Sequence, residues 1–280
     1  MKVAYESTAT SVGFFRFWQD RFKAVARNRQ LIKQLLFLSL TEQYKKTLLG
    51  SIWLVINPIL SILIWLIMNY SGIYQPGETT IPYVGYLLLS MSIWLFFVSF
   101  FKHLATGVTE SGRMLMEAPF EMEAKLVEKV LLNIVNFAIP LIINMVVLII
   151  MGVSFGWSSL WFLPTLIPLM LLGISIGVFF SLIEVVFNDI YLIVNQGMNV
   201  LMFLTPVVYT TKVNSEFLQT IIYYNPLTYL ISIPRDLLIG APIEDWSGYW
   251  VSSGFALLVF VFVMHFFFNS VYKIVERIFE

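Results

Sequence analysis

Polar and apolar positions alternate along this chain in long blocks rather than in short periods. Lys45 and Lys46 close a basic segment, and no aspartate, glutamate, lysine or arginine follows until Glu78. Further windows free of these residues run over Thr79–Phe101, Val130–Ile183, Ile190–Thr211 and Trp246–Tyr272. A helix crossing hydrocarbon needs about 20 mostly apolar residues. The window from Val130 is too long for one helix, and the turn cluster over Gly152–Ser159 divides it in two. The pattern therefore predicts an all-α integral membrane protein with six transmembrane helices, the first beginning near Ser51. Pro58 lacks an amide hydrogen and is expected to kink that first helix.

Ahead of the first span, Phe14, Phe15, Trp18, Phe22 and Val25 recur at helical spacing, opposite Arg16, Asp20, Lys23 and Arg27. An aromatic face opposed to a basic one suits an amphipathic helix in the headgroup plane; packing on the protein's own body is the alternative. The organisation that follows is an amphipathic collar over 1–50, a transmembrane domain over 51–272 and a tail over 273–280. Within the domain, a loop spans 102–129, and an outer segment, 205–249, joins the fifth and sixth spans. The outer segment holds an uncharged apolar run, Phe217 to Tyr224, which predicts a re-entrant helix pair near Pro226.

Composition and charge sharpen this picture. The chain of 280 residues is 59% hydrophobic and 12% charged, half the charge of an ordinary soluble domain, which is about 25%. Seventeen basic against seventeen acidic residues give no pull toward nucleic acid, and without cysteine there is no disulfide framework. Nine lysines and arginines precede the first span, four lie between spans two and three, and two sit in the tail. Lys212 and Arg235 alone fall elsewhere. Positive residues mark the cytoplasmic side, so both termini are expected there. The first residues lack the apolar core of a cleavable signal.

Catalytic chemistry finds no foothold. There is no Gly-rich phosphate loop, and His103 and His265 lack companions at metal-ligand spacing. No nucleophile–base set or carboxylate pair can be assembled. Glu184, near Asp189 at the end of the fourth span, is expected to be solvated. In the 102–129 loop, Met114, Leu115 and Met116 form an apolar triplet between charged neighbours, ahead of Pro119. Such a triplet either folds back on lipid or forms a knob for a partner.

Five stretches in order resemble one family, the permease subunits of ABC exporters that move O-antigen, capsule and teichoic acid polysaccharides out of bacteria. They are Tyr44–Pro58, the Met114–Phe120 stretch with its Ala-Pro-Phe, Val186–Asp189, Phe203–Tyr209, and Asn225–Gly240. The resemblance implies a homodimer in the bacterial inner membrane joined by two copies of a separate ATPase subunit. ATP and magnesium would be held by that partner, with no cofactor or metal in this chain. The substrate would be a lipid-linked polysaccharide threaded through a channel. ATPase coupling would fall to Met114, Leu115, Met116, Pro119, Asn188 and Asp189. Asn188 stands where the family usually has arginine, Glu117 where a basic residue is common, and Pro234 interrupts a segment usually helical up to Arg235. Tyr70, Tyr74, Tyr83, Phe203 and Tyr209, near the outer span ends, are candidates to line the glycan path. The rival readings are an ABC permease for a drug or lipid and a membrane-embedded glycolipid-modifying enzyme.

Overall fold

The computed structural model describes residues 14–45, 52–110, 122–187, 189–211, 215–243 and 245–279. Among these the ordered elements are helical. They are α1 (Phe14–Arg27), α2 (Arg29–Lys45), α3 (Trp53–Tyr70), α4 (Tyr83–Ala105) and α5 (Met122–Ile150). A 3-10 turn (Trp157–Trp161) leads into α6 (Phe162–Thr165) and α7 (Ile167–Glu184). The chain continues through α8 (Asp189–Phe203), α9 (Glu216–Tyr224), α10 (Pro226–Ile239) and α11 (Trp246–Phe279).

Among the described residues, four stretches are long and apolar enough to cross a membrane: Tyr83–Ala105, Met122–Ile150, Trp157–Glu184 and Trp246–Val271. They coincide with the second, third, fourth and sixth expected spans. The turn at Met151–Gly152, where Gly152 adopts φ 80°, divides the long central window where Gly152–Ser159 was expected to. The first and fifth windows are shorter helices, 18 residues in α3 and 15 in α8. At 1.5 Å per residue, α8 rises about 22 Å, less than the roughly 30 Å of hydrocarbon. Helix α3 runs unbroken through Pro58.

Helix α4 is the axis of the bundle. Of its apolar stretch, 83% is buried, against 17% for α5. Phe97, Phe100 and Phe101 are fully enclosed. Helix α7 packs directly on α4, and two glycines make that approach possible. A Cβ on Gly177 would meet the Phe100 carbonyl oxygen at 2.8 Å, and one on Gly173 would meet the Phe97 carbonyl oxygen at 3.0 Å. Small residues four apart let helix backbones approach closely in lipid. Buried polar groups tie α4 to α5: Asn144 donates to the Ser92 hydroxyl (2.8 Å), and the His103 ring meets the Asn133 side-chain oxygen at 2.6 Å. His103, which read as isolated in sequence, therefore has a partner in space.

Three expectations change. Helix α1 turns a different face to the bundle: Phe17 is buried against the His265 and Phe268 rings, and Arg21 lies over Phe268 and pairs with Glu123, while Phe15 and Phe22 remain exposed. The i, i+4, i+7 set of Phe17, Arg21 and Ala24 packs on protein together with Trp18, which stacks on Phe260 at 6.2 Å, and Phe15 and Phe22 are left outside. Glu184 is buried rather than solvated, because Thr109 donates to it. Pro234 does not interrupt α10, which continues through Arg235 to Ile239 and ends on Gly240 at φ 68°.

Candidate functional site

At one end of the bundle, tyrosine hydroxyls hold an irregular segment in place. After α8 the chain turns through Thr205–Pro206 and cannot satisfy its carbonyls by helix geometry. Side chains supply the donors. Tyr83 donates to the Val208 carbonyl and Tyr86 to the Tyr209 carbonyl, both at 2.9 Å. The Tyr209 hydroxyl donates to the Phe203 carbonyl at 2.7 Å. Asn225 donates to the Leu204 carbonyl (3.1 Å) and the Thr205 hydroxyl (2.9 Å), while its side-chain oxygen accepts from the Leu227 amide as the N-cap of α10.

Four of the five aromatic candidates meet here. The Tyr74 and Phe203 rings both lie 5.7 Å from Trp65, and Tyr83 stacks on Tyr86 at 6.4 Å. Tyr209 is 9% exposed, so it sits inside the subunit. Tyr70 stands apart at the end of α3, 79% exposed. Helices α9 and α10 form a pair with Pro226 as the first residue of the second helix.

Beside this assembly lies a cavity of about 580 Å³ between the loop after α3, residues 210–211, the α9–α10 pair and the 241–245 stretch. Arg235 forms part of its wall. The residue is only 5% exposed, and its donors are largely engaged: Nε with Asp236 (2.8 Å), Nη1 with the Tyr86 hydroxyl (2.7 Å). Sequence reasoning had passed over Tyr86, Thr228 and Asp236 as site residues. The signal available was Arg235 itself, one of two lysines or arginines outside the three basic segments and embedded in Ile-Pro-Arg-Asp.

The opposite end is a charged belt. Lys129 donates to the His103 carbonyl and to Glu110, each at 2.7 Å. Burial opposes ionisation of Glu110, yet the bonds from Lys129 and Thr106 hold its carboxyl below the usual range. Lys125 lies 2.9 Å from Glu128. Asp189 is exposed in the first turn of α8, where its charge faces the positive end of the helix. Met114, Leu115, Met116, Pro119 and Asn188 lie outside the described residues. Among the described residues no group of three potential metal ligands occurs.

A helical body with four apolar membrane-length helices, one wrapped by the others, defines a multi-pass membrane protein. Residues 30–239 match the family described as ABC-2 type transporter, and the chain belongs to that family. Three relatives carry the same description, O-antigen export system permease protein RfbA. Two are from Klebsiella pneumoniae: one is 24% identical over 207 residues, covering 73% of this chain and 78% of its own length, and the other 24% identical over 223 residues, covering 79% and 85%. The third, from Myxococcus xanthus, is 20% identical over 211 residues, covering 73% and 78%.

Proposed function

We propose that this chain is the membrane subunit of an ATP-driven exporter that carries a lipid-linked polysaccharide of the O-antigen type across the bacterial inner membrane. The observation that carries this reading is the similarity, along about three quarters of the chain, to permeases described as serving O-antigen export. The chain supplies the passage; a separate ATPase, with its own ATP and magnesium, supplies the energy. The working unit is a homodimer bound to two ATPase copies. Each subunit crosses the membrane six times, α3 and α8 being the two short crossings, with both termini cytoplasmic. The α9–α10 pair re-enters from the outer side, and the 1–50 collar and 273–280 tail stay inside. Exposed apolar faces on α3, α5, α8 and α11 suit contact with lipid or a second subunit.

Deletion of this chain in its host tests the reading. The surface polysaccharide should disappear and its lipid-linked precursor accumulate inside, and a tagged chain should co-purify with an ATPase. An unchanged surface polysaccharide would refute it; altered drug tolerance or phospholipid export instead would favour the rival permease reading.

A further inference from the structure

The cavity beside Arg235 has features that the hydrogen-bonding network of the fold does not use. Thr228, in the first turn of α10, is 3% exposed, and its hydroxyl has no hydrogen-bond partner. The Thr210 hydroxyl is likewise enclosed without one. Both residues line the same cavity. An enclosed hydroxyl left unpaired is costly, and the great majority in folded proteins find a partner. Two such hydroxyls belong to residues that line one cavity, where a polar guest could complete them. The volume, about 580 Å³, lies within the range of small-molecule sites, roughly 300–1,000 Å³.

The wall also limits the guest's charge. Among the described residues, three carboxylates, those of Glu78, Asp236 and Asp245, line the cavity with one cation, Arg235, which Asp236 already neutralises. A phosphate or carboxylate would meet net repulsion there. Carboxylates are strong acceptors for neutral hydroxyl donors. An acyl chain would strand every polar group on the wall. Tyr223, 63% exposed and edge-on to Tyr224 at 5.1 Å, adds an aromatic surface at the rim. Hydroxyl-rich partners, acidic acceptors and one aromatic face together suit a pyranose ring.

We propose that this cavity is a saccharide subsite, built within one subunit, that holds one uncharged sugar ring of the glycan at the outer face. The proposal rests on the export reading above for the source of that sugar. Binding itself is measured without export, so the two can fail separately. Each new unit would engage the Thr228 and Thr210 hydroxyls as it leaves the membrane. Arg235 would organise the wall by holding Tyr86 and Asp236 in place.

The test uses the full chain in lipid nanodiscs. Thermal unfolding is followed with a panel of neutral monosaccharides (glucose, galactose, mannose, rhamnose, N-acetylglucosamine) and with glucuronate at matched ionic strength. Sugars also stabilise proteins generally through exclusion from the surface, so Thr228→Val, close in shape and without the hydroxyl, provides the reference. At least one neutral sugar should raise the wild-type midpoint by more than twice its effect on Thr228→Val. The empty variant should be as stable as wild type or more so, because the orphan hydroxyl is gone. Tyr223→Ala should also shrink the sugar-specific shift. Equal shifts in wild type and Thr228→Val for every sugar, or a larger shift with glucuronate than with any of the neutral sugars, would overturn the proposal. A deletion strain with unchanged surface glycan, alongside a positive sugar shift, would instead remove the export reading and leave the subsite standing.

Discussion

Arg235 reaches Tyr86 in two ways at once: Nη1 donates to the Tyr86 hydroxyl at 2.7 Å, and the guanidinium carbon lies 4.3 Å from the centre of the same ring. The hydroxyl in turn donates a hydrogen bond to the Tyr209 carbonyl. Helix α10 is thereby linked through α4 to the irregular segment after α8. Tyr86→Phe keeps the ring and removes the hydroxyl, and a bond to a charged group is worth about 1.5–3 kcal/mol. Tyr86→Leu should cost more, since a desolvated cation–π contact adds about 2 kcal/mol. Arg235→Lys should not rescue the link, because a single ammonium cannot reproduce the planar fork. Unfolding midpoints in nanodiscs check the order wild type, Tyr86→Phe, Tyr86→Leu; an unchanged midpoint for Tyr86→Phe would show that the link stabilises nothing.

The α4–α7 contact makes a prediction of the opposite kind, in which adding an atom does the damage. At Gly177 a Cβ would fall 2.8 Å from both the Phe100 carbonyl oxygen and the Leu104 Cβ. Neither can swing aside, so Gly177→Ala should destabilise by about 1–3 kcal/mol, the usual cost of overpacking. Gly254 in α11 has nothing within 4 Å of its Cβ position, and Gly254→Ala should be neutral or stabilising by about 0.5–1 kcal/mol. Thermal unfolding of the two variants distinguishes close packing from plain helix propensity. Should both behave alike in monomeric protein, the close approach of α4 and α7 would be disproved.

How much of this was legible beforehand varies with the physics. Six spans were read from charge-free windows, because burying a charge in hydrocarbon is expensive and that penalty acts on composition; four of them coincide with helices of membrane length. Which face of each helix turns inward did not show. In lipid both faces are apolar, so periodicity loses its meaning, and the inward side of α4 and α7 is set by Gly173 and Gly177, which in the sequence are merely two of fifteen glycines. Tyr83 and Tyr209 were found as aromatics near the span ends, but their hydroxyls turned out to matter as backbone donors to Val208 and Phe203. Those bonds follow from a non-helical turn that sequence patterns do not describe. Glu184 was misjudged because its partner, Thr109, lies 75 residues away.

Asp245 provides a test by pH. Its carboxylate accepts from the Ser247 hydroxyl and from the Gly248 amide (2.9 Å), capping the first turn of α11. These bonds hold its pKa below the ordinary aspartate value. A folded-state pKa below the unfolded one contributes stability that is present above about 3.9 and lost as pH falls through the folded value. Amide-exchange protection at Gly248 should fall in that acid window. Asp245→Asn, a neutral cap, should show no such step, whereas Asp245→Ala should lack protection at every pH. A step that persists in Asp245→Asn would assign the acid sensitivity to another group.

The last prediction concerns the stretch between α4 and α5, whose flanks are held although 111–121 lies outside the described residues. On one flank Thr109 binds Glu184 and Glu110 pairs with Lys129; on the other Arg21 pairs with Glu123. A segment held at both ends can transmit a push into the bundle. If the ATPase pushes there, the apolar triplet Met114–Leu115–Met116 is the surface it grips. Leu115→Asp would then bury an unpaired charge at the interface, at a cost of several kcal/mol. Insertion and dimerisation should be unaffected, because the substitution falls between the spans. Co-purification of the ATPase should be lost and surface glycan should vanish, while Leu115→Met preserves both. Leu115→Asp with the ATPase retained and full export would mean that the triplet rests on lipid and that coupling runs elsewhere.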